Sequence, residues 1–371
     1  MAHVVLIGSS AFSLINFRGD LIEGLIRRGH KVGAVAPSAS KDIAALLKGM
    51  GVVYFDIPLQ RRGLNPLRDL IYLWRLFRLF LSIQPDLVLS YTIKPVIFVS
   101  IAARLAGIPY ISSMITGLGY TFSGNTLLAR ALGTLAVYLY KISIRHNNVV
   151  FFQNHDDLKV FTKFNLLPSN VHSVVIPGSG VNVKHFSPAT YPGQIAFLMI
   201  ARLVREKGVF EYLEAAKLLR PDYPMVHFRL AGFTGKGTSY ISEDDLAEAN
   251  RAGIVEYLGK LKDVRHAIAD CSVYVLPTHG GEGIPRTVLE AMAMGRAVIT
   301  TNTAGCREAV VDGRSGLLVT PRNVESLVAA MKRLIDSRRE REEMGAAGRE
   351  RAVQIYDVCK VNNMIFENLG L

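Results

Sequence analysis

Cysteine is scarce in this chain: Cys271, Cys306 and Cys359 are the only three in 371 residues. They lie far apart, are odd in number and show no C-x-x-C spacing. That argues against a disulfide framework or a zinc site, and for a reducing, cytoplasmic setting. Long apolar runs are missing as well. Residues 4–8 are too few, and lack the basic start, for a signal peptide. The longest charge-free run, residues 105–129, is full of Gly, Ser, Thr and Asn and does not read as a transmembrane helix. No G-x-G-x-x-G follows the first strand. Gly232-Phe233-Thr234-Gly235-Lys236-Gly237 misses the G-x-x-x-x-G-K-S/T spacing, so a dinucleotide fingerprint and an NTPase loop are both set aside. Helix-turn-helix, zinc-finger and RNP-type patterns are lacking, which leaves nucleic acid without support as a partner. No D-x-D pair or histidine cluster offers a cation site, so chemistry without metal or other cofactor is expected.

Acidic residues are sparse in the first half only. Residues 1–190 hold 19 Lys+Arg against 8 Asp+Glu, net +11, and the remainder holds 24 against 23, net +1, within a total of +12. A basic first half and a neutral second suggest that the first faces an anion, with an acidic membrane surface or a lipid diphosphate fitting better than nucleic acid. Half of the residues are hydrophobic and one fifth charged, a globular balance, and the length suffices for two domains with separate cores.

The most informative stretch is residues 282–290. The apolar run 273–277 reads as a buried strand and residues 278–283 as a polar, Gly-rich loop. Pro285 suits a first helical turn and Gly295 is placed to stop the helix, with Val288, Ala291 and Met292 on its inner face. Free N–H groups and the positive dipole end would then point out of a strand's carboxyl edge, where open α/β sheets bind phosphate. Gly283 would let a diphosphate approach the backbone. Glu282 and Glu290 would flank it.

That E-x7-E pair, followed by Ala291-Met292-Ala293 and Gly295, resembles the signature of retaining GT-B glycosyltransferases of family 4. The match continues through residues 297–301, Gly305, Glu308, Asp312-Gly313 and residues 316–319. The resemblance implies two Rossmann-like domains facing a cleft, here 1–188 and 189–355, with the tail 356–371 crossing back to the first. It implies that Glu282 contacts the donor sugar and Glu290 the ribose of a nucleotide diphosphate sugar. Arg202 and Lys207 match the family's diphosphate-binding Arg and Lys, Lys207 standing at the start of a helix over Val209–Leu219. Gly283, Ile284, Pro285, Thr287 and Leu261 complete the donor side, and Gly305 should start a short helix against it. Glycoside hydrolysis also uses two carboxylates, but they face each other about 5–9.5 Å apart. Eight helical residues rise roughly 12 Å, which suits two contacts on one long donor.

The first half carries looser signals. Residues 4–8 read as a strand, 8–16 as a small-residue loop including Ser9, and a helix begins near Asn16, so that Phe17 and Arg18 stand at its start like the family's acceptor-side loop. A strand over residues 86–91 leads to Thr92-Ile93-Lys94-Pro95. Pro95 favours an extended Lys94 that ends the strand and points into the cleft. Relatives often carry a His near here; its absence puts the deprotonation of the acceptor in doubt. Thr116, Gly117, Gly119 and Tyr120 follow the next strand, and residues 115–120 resemble enzymes that extend lipid-linked bacterial glycans. Residues 65–83 show a wide apolar stripe with Arg61, Arg62, Arg68, Arg75 and Arg78. They read either as a helix at a membrane interface or as a core helix with snorkelling arginines. Residues 127–144, with Arg130, Lys141 and Arg145, are similar. A linker is expected at residues 186–193.

The function expected from the resemblance is transfer of a sugar, an N-acetylhexosamine such as GalNAc, from a UDP-sugar to a polyprenyl-diphosphate-linked glycan, by a peripheral protein on the inner face of the cell membrane. An epimerase acting on UDP-N-acetylhexosamine and a non-catalytic nucleotide-sugar-binding protein remain alternatives.

Overall fold

A computed structural model describes the chain apart from residues 62, 64, 119–126 and 236, and apart from the side chains of residues 127–132. Arg62, Gly119, Tyr120, Lys236 and the Arg130 side chain, named above, lie outside the described residues. Two compact units result: Met1–Ser179 with Cys359–Leu371, and Gly180–Val358.

In the first unit seven strands form one parallel sheet: β1 (His3–Ile7), β2 (Lys31–Ala36), β3 (Val53–Asp56), β4 (Leu87–Tyr91), β5 (Tyr110–Ile115), β6 (Val149–Phe152) and β7 (His172–Val175). Their order is β3-β2-β1-β4-β5-β6-β7. The crossovers are α1 (Ala11–Arg27), α2 (Lys41–Gly49), α3 (Pro66–Ile83), α4 (Ile93–Leu105), α5 (Leu127–Ile144) and α6 (His155–Lys163). Burial on both faces explains the unbroken apolar run of β1. Val4 and Leu6 pack with Leu14, Leu21 and Leu25 of α1, whereas Val5 and Ile7 pack with Tyr72, Leu76 and Phe80 of α3.

The second unit holds β8 (Ala196–Ile200), α7 (Val209–Leu219), β9 (His227–Ala231), α8 (Glu243–Arg251), β10 (Glu256–Tyr257), α9 (Arg265–Ala269) and β11 (Val273–Leu276). There follow α10 (Arg286–Ala293), β12 (Ala297–Thr301), α11 (Ala304–Ala309), β13 (Leu317–Val319), α12 (Val324–Asp336) and α13 (Arg338–Gln354). Its parallel sheet runs β10-β9-β8-β11-β12-β13. Strand order therefore reverses between β1 and β4 in one unit and between β8 and β11 in the other. Such switch points open a crevice at the strands' carboxyl ends.

The last helix, α14 (Val358–Leu369), completes the α1 face of the first unit with buried Val361, Ile365 and Phe366. Gly24 makes room for it, since a Cβ there would fall 2.7 Å from the Phe366 ring, and the Arg28 guanidinium sits 3.9 Å from that ring's centroid.

Three local expectations change. Helix α1 starts at Ala11, not near Asn16, because Ala11, Leu14, Arg18, Leu21 and Leu25 form one buried stripe; Phe17 and Arg18 thus lie in its second turn. Lys94 does not end a strand. Thr92 makes the bend with φ +70, so Lys94 and Pro95 fall in the first turn of α4, where proline needs no N–H partner. Residues 186–193 belong to the second unit and are no free linker: Phe186 is in its core, the Tyr191 hydroxyl lies 2.7 Å from the Arg341 carbonyl, and buried Arg296 donates to the Thr190 carbonyl at 2.7 Å. Those anchors are distant in sequence, so local composition could not reveal them.

Candidate active site

In the second unit the carboxyl ends of β8, β9, β11 and β12 carry loops held at backbone contact. Gly208 adopts φ +78 with Pro277 against it; a Cβ would come within 2.1 Å of the Pro277 carbonyl. At Gly232 a Cβ would meet the Ala201 carbonyl at 1.8 Å, and at Gly305 the Gly283 carbonyl at 1.3 Å. A side chain at any of the three would separate two loops. Polar bonds finish the join. The Glu206 carbonyl faces the N–H groups of His279 (3.0 Å) and Gly280 (3.2 Å) and the Thr278 hydroxyl (2.9 Å), and Thr301 donates its hydroxyl proton to the Thr278 carbonyl.

Lys207 sits on a short 3-10 turn, Arg205–Lys207, ahead of α7 rather than in the helix itself. Its Nζ lies 2.5 Å from Glu282 Oε1, with the two side chains 18% and 23% exposed, so its charge is met by a carboxylate. Thr278 Oγ1 is 2.7 Å from the same oxygen. Burial pushes the Glu282 carboxyl up, but Lys207, Thr278 and Arg202 outweigh it and hold the pKa below the ordinary carboxylate value. Arg202 itself is exposed on the loop after β8.

Pro285 is the N-cap of α10, extended at ψ 118, with helix beginning at Arg286 and Gly295 ending it at φ +73. Gly283, Ile284 and Pro285 are buried, so this turn presents backbone more than side chain. Glu290, one turn into α10, is buried and bonds to Arg286 Nε at 3.0 Å. Burial raises its carboxyl to about 7, a rise that Arg286 only partly opposes. Thr287 bonds to the fully buried Tyr274. Leu261 packs partly buried on the unit's core. Sequence reading missed Arg286, although its i, i+4 spacing to Glu290 was a visible signal. It also missed the half-buried Glu211–His279 pair, 3.5 Å apart. Arg322 Nε lies 3.3 Å from His279 Nδ1 and donates to it.

The first unit's crevice is built differently. Tyr91 fills it: a Cβ on Gly8 would fall 2.3 Å from the Tyr91 hydroxyl, Ser13 Oγ is 2.8 Å from that oxygen, and the buried Arg18 guanidinium lies 5.0 Å from the ring centroid. Ser9, Thr116 and Gly117 are half-buried and Phe17 is exposed. Lys94, expected to end a strand and point into the cleft, binds Asp69 of α3 at 2.7 Å. No local pattern marks Asp69 as its partner; the α3–α4 packing supplies it.

Residues 16–178 match the glycosyl transferase 4-like domain, and residues 181–351 match the glycosyl transferases group 1 family. Between them the two matches leave only the ends and two residues of the chain. This protein is a family 4 glycosyltransferase of the GT-B fold.

Its curated relatives include the Campylobacter jejuni N,N'-diacetylbacillosaminyl-diphospho-undecaprenol α-1,3-N-acetylgalactosaminyltransferase, 27% identical over 93% of this chain and 92% of that one. An Escherichia coli UDP-Gal:α-D-GlcNAc-diphosphoundecaprenol α-1,3-galactosyltransferase is 24% identical over 86% of both chains. Among solved structures, Anabaena HepE in complex with UDP superimposes with TM-score 0.77 at 19% identity over 99% of both chains. Sucrose-phosphate synthase of Thermosynechococcus elongatus gives 0.78 at 16% identity, covering 99% of the glycosyltransferase and 98% of the synthase. At these identities the structural likeness establishes the fold.

Proposed function

We propose that this glycosyltransferase moves an N-acetylhexosamine, such as N-acetylgalactosamine, from a UDP-sugar to a polyprenyl-diphosphate-linked glycan, with retention and without a metal ion, in bacterial surface-glycan or glycoprotein biosynthesis. The observation that carries it is the Lys207–Glu282 pair held at the ends of β8 and β11, beside the start of α10. Two relatives matching most of the chain, whose names specify lipid-diphosphate-linked acceptors, support the choice of acceptor.

In this reading the diphosphate lies against the backbone at Gly283 and the first turn of α10, with Arg202 and Lys207 opposite. Glu282 meets the sugar, Glu290 takes the ribose hydroxyls, Ile284, Pro285 and Thr287 shape the turn, and Leu261 lies toward the base. The bond from the anomeric carbon to the phosphate oxygen breaks as the acceptor oxygen bonds to the same face. Electrons of the broken bond stay on UDP, and the acceptor's proton passes to that leaving phosphate. Fixed cations and the helix dipole stabilise the developing charge, the role a divalent ion plays elsewhere. Before donor binds, Lys207 is neutralised by Glu282; an arriving diphosphate shares that charge. The acceptor approaches Ser9, Phe17, Arg18, Thr116 and Gly117. A lipid acceptor places the enzyme as a peripheral protein on the inner face of the membrane, its basic first unit toward anionic lipid. Among the described residues no helix is long and apolar enough to cross it.

The test is a panel of UDP-, GDP- and ADP-sugars with synthetic polyprenyl-diphosphate glycans, read by product NMR. An α-linked product from a UDP-N-acetylhexosamine, formed equally in EDTA, is expected. Epimerised donor without transfer, binding without turnover, or activity that EDTA abolishes and Mg²⁺ restores would each overturn the corresponding part.

A further inference from the structure

Helix α3 is apolar on two sides. Tyr72, Leu76 and Phe80 are buried in the sheet's core. Leu67, Leu70 and Trp74 are nevertheless 68%, 61% and 57% exposed, and Ile71 and Leu81 are exposed beside them. Leu67, Ile71, Trp74, Arg78 and Leu81 follow at three- and four-residue spacing and so share one outward face. Arg68 and Arg75 lie along one flank of this ridge, both exposed, and the Arg78 guanidinium sits 5.4 Å from the Trp74 ring centroid. The helix's one acid, Asp69, is buried and bonded to Lys94, so the outward side shows only positive charge. A core helix with snorkelling arginines accounts for the buried face but leaves this ridge without a partner among the described residues.

We propose that the outward face of α3 inserts into the headgroup region of an anionic lipid bilayer, apolar ridge down and arginines at the phosphates. This rests on the reading of a lipid-linked acceptor and adds which element touches the membrane and how deeply. The three sectors decide the occupant: apolar, cationic and core-packed faces in one helix are what an interfacial helix anchored to a globular body requires. Because the opposite face is fixed in the core, α3 cannot stand across the bilayer. It lies along the surface, with Leu67 to Leu81 spanning roughly 21 Å. Helix α5 lies on the same side of the sheet, since both helices pack against α4. Exposed Tyr138 and Leu135, with Lys141 and Arg145, continue the surface there.

Trp74 is the only tryptophan in the chain, so its emission reports on this face alone. The full-length protein is titrated with phosphatidylcholine vesicles with and without phosphatidylglycerol. Blue-shifted emission is expected only with the anionic vesicles, together with stronger quenching by lipids brominated near the headgroup than near the chain ends. Changing Arg68, Arg75 and Arg78 to Gln removes about 1 kcal/mol each at low salt, so vesicle affinity should fall roughly a hundredfold. Leu67→Ser and Ile71→Ser should each weaken it roughly tenfold, and that loss should persist at high salt. Unchanged melting temperature and unchanged affinity for soluble donor in these variants separate detachment from unfolding. Sedimentation with vesicles while Trp74 emission stays fixed would overturn insertion of α3. So would a blue shift that needs no lipid and follows protein concentration, which would mark a second copy as the occupant. Insertion by an enzyme that transfers nothing to a lipid acceptor would uphold the docking face and remove the proposed reaction instead.

Discussion

The two units share one architecture and use their switch points in opposite ways. In the second, loops meet at backbone distance and opposite charges are paired at the mouth: Lys207 with Glu282, Arg286 with Glu290. In the first, the corresponding crevice holds an aromatic ring, Tyr91, and the net charge of the sequence around it is strongly positive. A fixed, charge-balanced mouth suits a ligand of constant shape such as a nucleotide. A basic unit with an apolar outer ridge suits a partner recognised as a surface. The difference explains why the second unit's crevice was readable as a motif and the first unit's was not.

The largest effect is expected where loop meets loop. Gly305→Val would drive a side chain into the Gly283 carbonyl, a backbone atom with nowhere to move, at a cost of about 3 kcal/mol or more. Calorimetry should show the second unit destabilised and donor binding lost. A variant that binds UDP normally would mean the two loops are not locked together.

Next comes the contrast between the two lysines. Lys94→Met strands Asp69, which is 7% exposed, and should cost about 3 kcal/mol of stability while leaving donor affinity untouched. Lys207→Met should do the reverse, with turnover falling sharply and melting temperature little. Identical behaviour of the two in denaturation and kinetics would erase the distinction between a structural and a reactive ion pair.

Glu290 gives a smaller, pH-dependent effect. Glu290→Ala should weaken UDP binding by about 1.5–3 kcal/mol for each ribose hydrogen bond lost. Its carboxyl rises from 4.5 to about 7 on folding, so the folded protein holds this proton more tightly than the unfolded chain. Its contribution to stability is therefore greatest at low pH and falls as pH rises through about 7. Donor affinity should run the other way, since the carboxylate is the better acceptor. Glu290→Gln should flatten both curves in calorimetric titrations between those limits; an unchanged slope would assign the titration elsewhere.

The smallest change tests a glycine with room. Gly19 lies within α1, and a Cβ added there would have nothing within 4 Å, so Gly19→Ala should stabilise the first unit by about 0.5–1 kcal/mol. Destabilisation on thermal melting would show that α1 needs its freedom there.

How much of this could be read beforehand depends on range. The helix after β11, its glycine stop, the alternating sheet and the E-x7-E pair are local patterns, and the structure repeats them within a residue or two. The start of α1 was misplaced because small polar residues mask a helical stripe that only burial reveals. Arg286 was overlooked despite legible spacing, whereas the roles of Asp69 and Tyr91 had no signal at all, because their partners arrive from other strands and helices.

By itself the sequence determined the α/β class, the glycosyltransferase signature and the basic first half. The class and the charge follow from periodicity, turn chemistry and composition, and the signature from resemblance to a family; all are carried by residues close together in the chain. Tertiary structure alone decided that Lys207 is held by Glu282, that Lys94 is taken by Asp69, that residues 186–193 are anchored by Arg296, and that α3 buries one apolar face while exposing another. Each of these depends on which groups packing brings within a few ångströms, and a linear chain carries no record of that distance.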